Sequence, residues 1–325
     1  MRWYPWLNSS YHTIITQHIA HRGHHALLIQ ALPGMGVEIL IREVARWLMC
    51  YDRQGVKSCG QCHSCGLMLS GTHPDMHKIE IQKNTNTIGI DIARGVIAKL
   101  YQHSHLGGAK IVLLLDAYKL TESAAHALLK TLEEPSSNTW FFLTVHDPSY
   151  LLMTLRSRCL LLKLPIPDEA FSLHWIKQQH SSEHNGCHTA LRLSSGAPLE
   201  ALELLTGSSW KQRLLVCSRL SEALHGDLLS LLPVLNDNNA IKRINWLCSL
   251  LIDAEKYRKG AGEFVSNLDN LPLIIKIVRL LSSPMLHESL DTWTRCYKRL
   301  LTIEGVNSEL LLTEQLLRWE RALKK

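Results

Sequence analysis

The sequence predicts an α/β fold, a parallel sheet with helices on both faces, carrying a cysteine-rich insertion and followed by two all-helical parts. Three observations predict it. Short apolar runs at His25–Gln30, Ile111–Leu115 and Thr139–Val145 read as buried strands, too rich in apolar residues to have one face in water. Helical patterns stand between them, as expected of strands that run parallel and need crossover connections. Past Pro165-Ile166-Pro167, Leu and Ala recur every three or four residues and β-branched runs nearly vanish.

Composition limits the alternatives. The chain has 325 residues, 46% apolar and 20% charged, enough for two or three domains and unlike a disordered or collagen-like chain. No apolar run approaches the roughly 20 residues that span a bilayer, and Arg2-Trp3-Tyr4-Pro5-Trp6 does not resemble a signal peptide. A cytoplasmic protein with reduced cysteines and no membrane partner is expected. Residues 1–165 carry 16 Lys+Arg against 11 Asp+Glu, and the remainder 19 against 18. So mild a surplus, with no basic arm, is a weak signal for nucleic acid.

Element by element, the first strand leads into a turn, Leu32-Pro33-Gly34-Met35-Gly36, and a helix to Met49 with Ile39, Leu40, Val44, Trp47 and Leu48 at helical spacing. The strand at Ile111–Leu115 ends at Asp116, and a helix from about Thr121 to Glu134 stops at Pro135. Ser194-Ser195-Gly196-Ala197-Pro198 breaks the helical remainder before a helix at Leu199–Leu205, and Thr206-Gly207-Ser208-Ser209 reads as a linker. The expected domains are 1–165, 166–208 and 209–325.

Cys50, Cys59, Cys62 and Cys65 form C-x8-C-x2-C-x2-C. Four thiolates so closely spaced suit tetrahedral Zn²⁺, and with all four positions filled by protein the ion is structural, pinning the loop at about 50–65. Gly55 and Gly60 supply its turns. An iron–sulfur cluster, free thiols, or His63 or His73 in place of one cysteine are the other readings. Cys159, Cys187, Cys217, Cys248 and Cys296 are scattered and read as small buried residues.

Strand, Gly-rich turn and helix is also the layout of a phosphate-binding loop, in which backbone N–H groups cradle an anion. Gly34 and Gly36 fit its last glycines, but Val37 stands where the phosphate-binding Lys belongs and Glu38 where the Mg²⁺-binding hydroxyl belongs. A carboxylate there repels triphosphate. On this segment alone, an ordinary Gly-rich turn is the other reading. Asp116 is followed by Ala117, so the acid that polarises attacking water is missing too.

Ala125-His-Ala-Leu-Leu-Lys-Thr-Leu-Glu-Glu-Pro135, Thr139-Trp-Phe-Phe-Leu143 and Thr154-Leu-Arg-Ser-Arg-Cys159 join His25-Ala26 and the four cysteines. Together these strings resemble bacterial sliding-clamp loader subunits of the AAA+ superfamily. The resemblance is strong over 1–165 and extends to the rest by order and length. It implies an AAA+ module, a small helical lid and a C-terminal collar that closes a hetero-pentameric ring with an ATPase subunit and a delta-type subunit. The ring places a sliding clamp on primed DNA, as part of a DNA-directed DNA polymerase (nucleotidyltransferase) holoenzyme. In Ser157-Arg158-Cys159 the resemblance implies that Arg158 reaches in trans to ATP on a neighbour, with Ser157 and Cys159 positioning it. Leu199 stands where active members carry a nucleotide-sensing Arg. The expectation is a structural subunit without catalysis or bound ATP; the rivals are an autonomous ATPase with a degenerate loop and a zinc-containing DNA-binding protein. Thr144 reads as a strand-end hydroxyl, and Lys130 as facing DNA or a partner subunit.

Overall fold

The computed structural model describes residues 2–81, 85–180, 184–224, 226–237, 239–303, 305 and 307–323. The first residue of the expected N-terminal domain and the last two of the collar lie outside these. The chain forms two compact units, Met1–Pro167 and Asp168–Lys325. Among the described residues no helix is long and apolar enough to cross a membrane.

In the first unit, helix α1 (Asn8–Ile19) precedes strand β1 (Ala26–Gln30) and helix α2 (Val37–Met49). The insertion follows, with a hairpin of β2 (Arg53–Gln54) and β3 (Lys57–Ser58) and helix α3 (His63–Ser70). Next come β4 (Met76–Ile79), α4 (Ile90–Leu100), β5 (Lys110–Leu114), α5 (Glu122–Glu133), β6 (Thr139–Val145), the single turn α6 (Met153–Arg156) and β7 (Leu160–Lys163). Five strands pair in the order β4-β5-β6-β1-β7, all parallel. β5 is buried along its whole length and β1 to its last residue, as the apolar runs require. The three strands expected from sequence are the central ones. The two that were not are the edges: β4 reads Met-His-Lys-Ile, with no continuous apolar run, and β7 reads Leu-Leu-Leu-Lys, a run of only three that is largely exposed.

Local chemistry fixes the ends of these elements. Thr121 caps α5 by accepting from the Ala124 amide, and Pro135 follows its end. Gly36 opens α2 in the left-handed region, φ 76°, where any side chain would be strained.

The second unit is helical: α7 (Glu169–Gln179), α8 (His184–Leu193), α9 (Pro198–Thr206), α10 (Ser208–Ala223), α11 (Leu232–Leu235), α12 (Ala240–Arg258), α13 (Leu271–Leu280), α14 (Ser283–Thr302) and α15 (Ser308–Leu323). The expected linker at Thr206–Ser209 is absent. α9 ends at Thr206 and α10 starts at Ser208, joined through Gly207 alone, with the Thr206 hydroxyl turned back onto the Leu202 carbonyl. Fully buried Arg213 on α10 binds Asp269 through both terminal nitrogens, at 2.6 and 2.9 Å, and Thr189 of α8 donates to the same carboxylate. Buried charges persist only when matched in this way. The apolar core centres on Trp293 and Trp319, packed edge to face.

Candidate metal centre, nucleotide loop and surface arginine

The four cysteines converge. Cys50 caps the C-terminus of α2, Cys59 and Cys62 follow the hairpin, and Cys65 lies in the first turn of α3. Their sulfurs all lie within 4.8 Å of one another, with Cys50–Cys59 at 3.5 Å and Cys59–Cys65 at 4.0 Å. A tetrahedron of sulfurs about 2.3 Å from Zn²⁺ has edges of about 3.8 Å, so the donors fit that ion. Backbone amides of Cys59, Cys62 and Cys65 point at the sulfurs of Cys50, Cys59 and Cys62, at 3.3 to 3.4 Å. These bonds favour thiolate. At Cys59 the amides of Cys62 and Gln61 lower the thiol; at Cys62 burial pushes up, but the amides of Tyr51 and Cys65 help to bring it down to about 6. Burial raises Cys50 and takes Cys65 up to about 12.

The histidine alternatives separate from the cluster. His73 is buried with Nε2 on the Ser64 hydroxyl at 3.1 Å and Nδ1 on the Asp75 amide at 3.2 Å, leaving neither ring nitrogen for a metal. His63 is exposed and outside the cluster. The loop is tied to the domain by two aromatic side chains: the Trp47 indole donates to the Gly55 carbonyl at 2.9 Å and the Tyr11 hydroxyl to the Val56 carbonyl at 2.8 Å.

At the other end of α2, Gly34 and Gly36 are both left-handed. Between them Met35 is buried, and its carbonyl accepts from the Trp6 indole at 2.9 Å. Glu38 lies 3.6 Å from Lys78 of β4, which also faces Glu80 at 3.3 Å. Asp116, at the end of β5, adopts φ 53°; its amide donates to Thr144 at 3.0 Å and its carboxylate binds Lys119 Nζ at 2.8 Å. That bond raises Lys119 above its ordinary value. His146 Nε2 lies 3.9 Å from the other carboxylate oxygen. Thr144 is thus a strand-end hydroxyl, as the sequence suggested, and ties β6 to β5. Lys130 is exposed on α5.

Arg158 follows α6 and is partly exposed. Its Nε and Nη2 meet the Glu133 carboxylate at the end of α5, while Nη1 donates to the Thr154 carbonyl at 2.8 Å and approaches Ser157 Oγ at 3.5 Å. Cys159 packs inward against the sheet core, and burial pushes its thiol up to about 11. Tyr150 and Met153, in the preceding segment, are 75% and 77% exposed.

Three family models match the chain: "DNA polymerase III, delta subunit" over residues 8–168, "DNA polymerase III subunit delta', AAA+ ATPase lid domain" over 167–206, and "DNA polymerase III, delta subunit, C terminal" over 208–321. The DNA polymerase III subunit delta' of Yersinia pestis is 50% identical over 99% of this chain and 97% of its own length. That of Escherichia coli K12 is 45% identical over 100% and 97%. The chain belongs to the delta' family of DNA polymerase III subunits. A gamma subunit-related protein of Thermotoga maritima shares the fold, with a TM-score of 0.50 at 20% identity over 98% of this chain and 99% of that one.

Within this delta' chain, sequence reasoning missed the partners of the site residues: Lys119 on Asp116, Lys78 on Glu38, Trp6 on Met35 and Glu133 on Arg158. Only the first left a signal, an Asp and a Lys three apart in a short turn. The others depend on contacts 25 to 40 residues apart in the chain.

Proposed function

We propose that this chain is a structural, non-ATP-binding subunit of a DNA polymerase III clamp-loading complex, one that supplies Arg158 in trans to ATP on a neighbouring ATPase subunit. The observation that carries the proposal is the state of the nucleotide side of the sheet. The carboxylate that would meet Mg²⁺, Asp116, is bound by the chain's own Lys119 at 2.8 Å, and the loop offers Val37 and Glu38 in place of a cation and a hydroxyl. A triphosphate placed there gains backbone N–H groups and faces an added negative charge.

Arg158 differs in kind. Its guanidinium is permanently charged, planar and able to bond two phosphate oxygens at once, it is partly exposed, and the segment before it exposes Tyr150 and Met153, apolar area of the sort that a partner covers. On this reading residues 1–165 form the AAA+ module, 166–208 the lid and 209–325 the collar that closes a hetero-pentameric ring with ATPase and delta-type subunits. Sliding clamp and primed DNA are reached through the assembly, in the cytoplasm. The chain catalyses nothing alone and works inside the polymerase holoenzyme. Cys50, Cys59, Cys62 and Cys65 hold a structural Zn²⁺, which supplies a cross-link to a loop with little apolar burial of its own.

Equilibrium binding of a fluorescent ATP analogue with Mg²⁺ to the isolated chain tests the first half. No binding up to millimolar nucleotide is expected; micromolar binding overturns the proposal. For the second half, Arg158→Ala in the reconstituted complex is expected to lower ATPase activity at least tenfold, since trans arginines contribute roughly 10³–10⁵ where they have been removed elsewhere. Unchanged turnover rejects the trans role.

A further inference from the structure

The guanidinium of Arg158 is already engaged. Nε and Nη2, the edge of the fork that matches a carboxylate or a phosphate, both meet Glu133, while Nη1 is held by the Thr154 carbonyl and the Ser157 hydroxyl. One such edge binds one oxyanion, carboxylate or phosphate, at a time. Glu133 and a phosphate are therefore competing ligands for the same N–H groups. Glu133 is the last residue of α5, where the helix dipole disfavours a carboxylate and an arginine partner offsets the penalty. Both side chains are partly solvated, Arg158 31% and Glu133 47% exposed, so the pair is weak enough to exchange.

We propose that Glu133 is a positioning residue that holds Arg158 parked against α5 until a neighbour's triphosphate displaces it, and so sets how much ATP is needed to engage the arginine. This rests on the trans role proposed above for Arg158. A parked fraction reduces the apparent affinity of the competent state in proportion to its population, and removing the latch restores that loss.

The test compares Glu133→Gln, which keeps the shape and removes the charge, with Glu134→Gln, which removes the same charge one residue on. In the reconstituted clamp-loading complex with clamp and primed DNA, Glu133→Gln is expected to lower the ATP concentration for half-maximal ATPase roughly two- to fivefold, the range an exposed ion pair can supply. The maximal rate should change less than twofold. Glu134→Gln should change neither, and Glu133→Gln added to Arg158→Ala should match Arg158→Ala alone. In the isolated full chain, the Arg158 Nε–H resonance should move on Glu133→Gln and stay on Glu134→Gln. An unmoved half-saturation point, an equal shift in the Arg158→Ala background, or an unmoved Nε–H resonance each overturns the latch while leaving the trans role standing. An Arg158→Ala complex with wild-type turnover removes the trans role, and the latch with it.

Discussion

Helix α2 has a candidate ligand loop at each end, and the two differ in what they keep. At its N-terminus the turn keeps the left-handed Gly34 and Gly36 of a phosphate cradle but carries Val37 and Glu38 where ligand groups belong. At its C-terminus all four thiols of the cysteine loop are present and in register for a tetrahedral ion. The difference lies in what holds each shape. The first turn is braced by the protein itself, with Met35 buried and its carbonyl on the Trp6 indole, so its conformation survives without any ligand. From Tyr51 to Gln61 none of the side chains in the second loop is buried, and a loop with so little apolar burial depends on a staple.

That contrast predicts unequal responses. The largest effect is expected from Cys65→Ser or from exhaustive chelation, which should take bound zinc from one equivalent to none and release residues 50–65. Structural zinc stabilises small domains by about 10–16 kcal/mol in isolation, and on the order of 5 kcal/mol is expected here, because the sheet beneath keeps its own core. Elemental analysis with hydrogen exchange across the loop checks it, and unchanged protection after chelation would break the contrast. Trp6→Ala comes next. It removes a buried aromatic and the donor to Met35, at a cost of about 3 kcal/mol by denaturant unfolding, while the zinc content stays at one equivalent. Loss of zinc in that variant would mean the two ends are not independent.

What was legible in the sequence follows the same division. Central strands and the cysteine spacing could be read because each is a local pattern: β6 spans Thr139–Val145 as expected, and the thiols of C-x8-C-x2-C-x2-C meet. The edge strands were not, since half-exposed residues such as His77 and Lys78 carry no buried run. The missing ligands of the nucleotide loop were visible as Val37 and Glu38, but what replaced them was not. Lys78 reaches Glu38 from a strand 40 residues on, and Glu133 reaches Arg158 from the helix before β6, contacts set by sheet order rather than by spacing.

A smaller, pH-dependent effect bears on the last turn of α2. His18 packs edge to face on Trp140 and beside Trp47, and burial first, with Arg53 second, lowers its pKa to about 4. Its ordinary value is about 6.5, so between the two the unfolded chain binds the proton and the folded chain does not. Stability present at neutral pH is therefore lost as pH falls from 6.5 toward 4. With allowance for partial exposure the loss is about 1–2 kcal/mol, and His18→Gln should flatten that part of the profile. Gly23 closes the other side of this ring: a Cβ there would overlap the His18 imidazole, so Gly23→Ala should lower stability without adding a pH slope.

The smallest expected effect comes from refitting the nucleotide loop. Val37→Lys with Glu38→Thr restores the cation and the hydroxyl and removes the repelling carboxylate, on a turn whose backbone already has the required left-handed glycines. If missing ligand groups were the whole obstacle, this double variant would bind Mg²⁺-ATP in the micromolar range. The structure adds a second obstacle, because Asp116 is held by Lys119 at 2.8 Å and is not free to support the metal. The double variant should therefore bind only in the millimolar range, and adding Lys119→Ala should tighten it about five- to tenfold, roughly the strength of one exposed ion pair and its hydrogen bond. Should Lys119→Ala make no difference in the refitted background, the Asp116–Lys119 pair is a bystander, and the loss of nucleotide binding proposed for this end of α2 rests on Val37 and Glu38 alone.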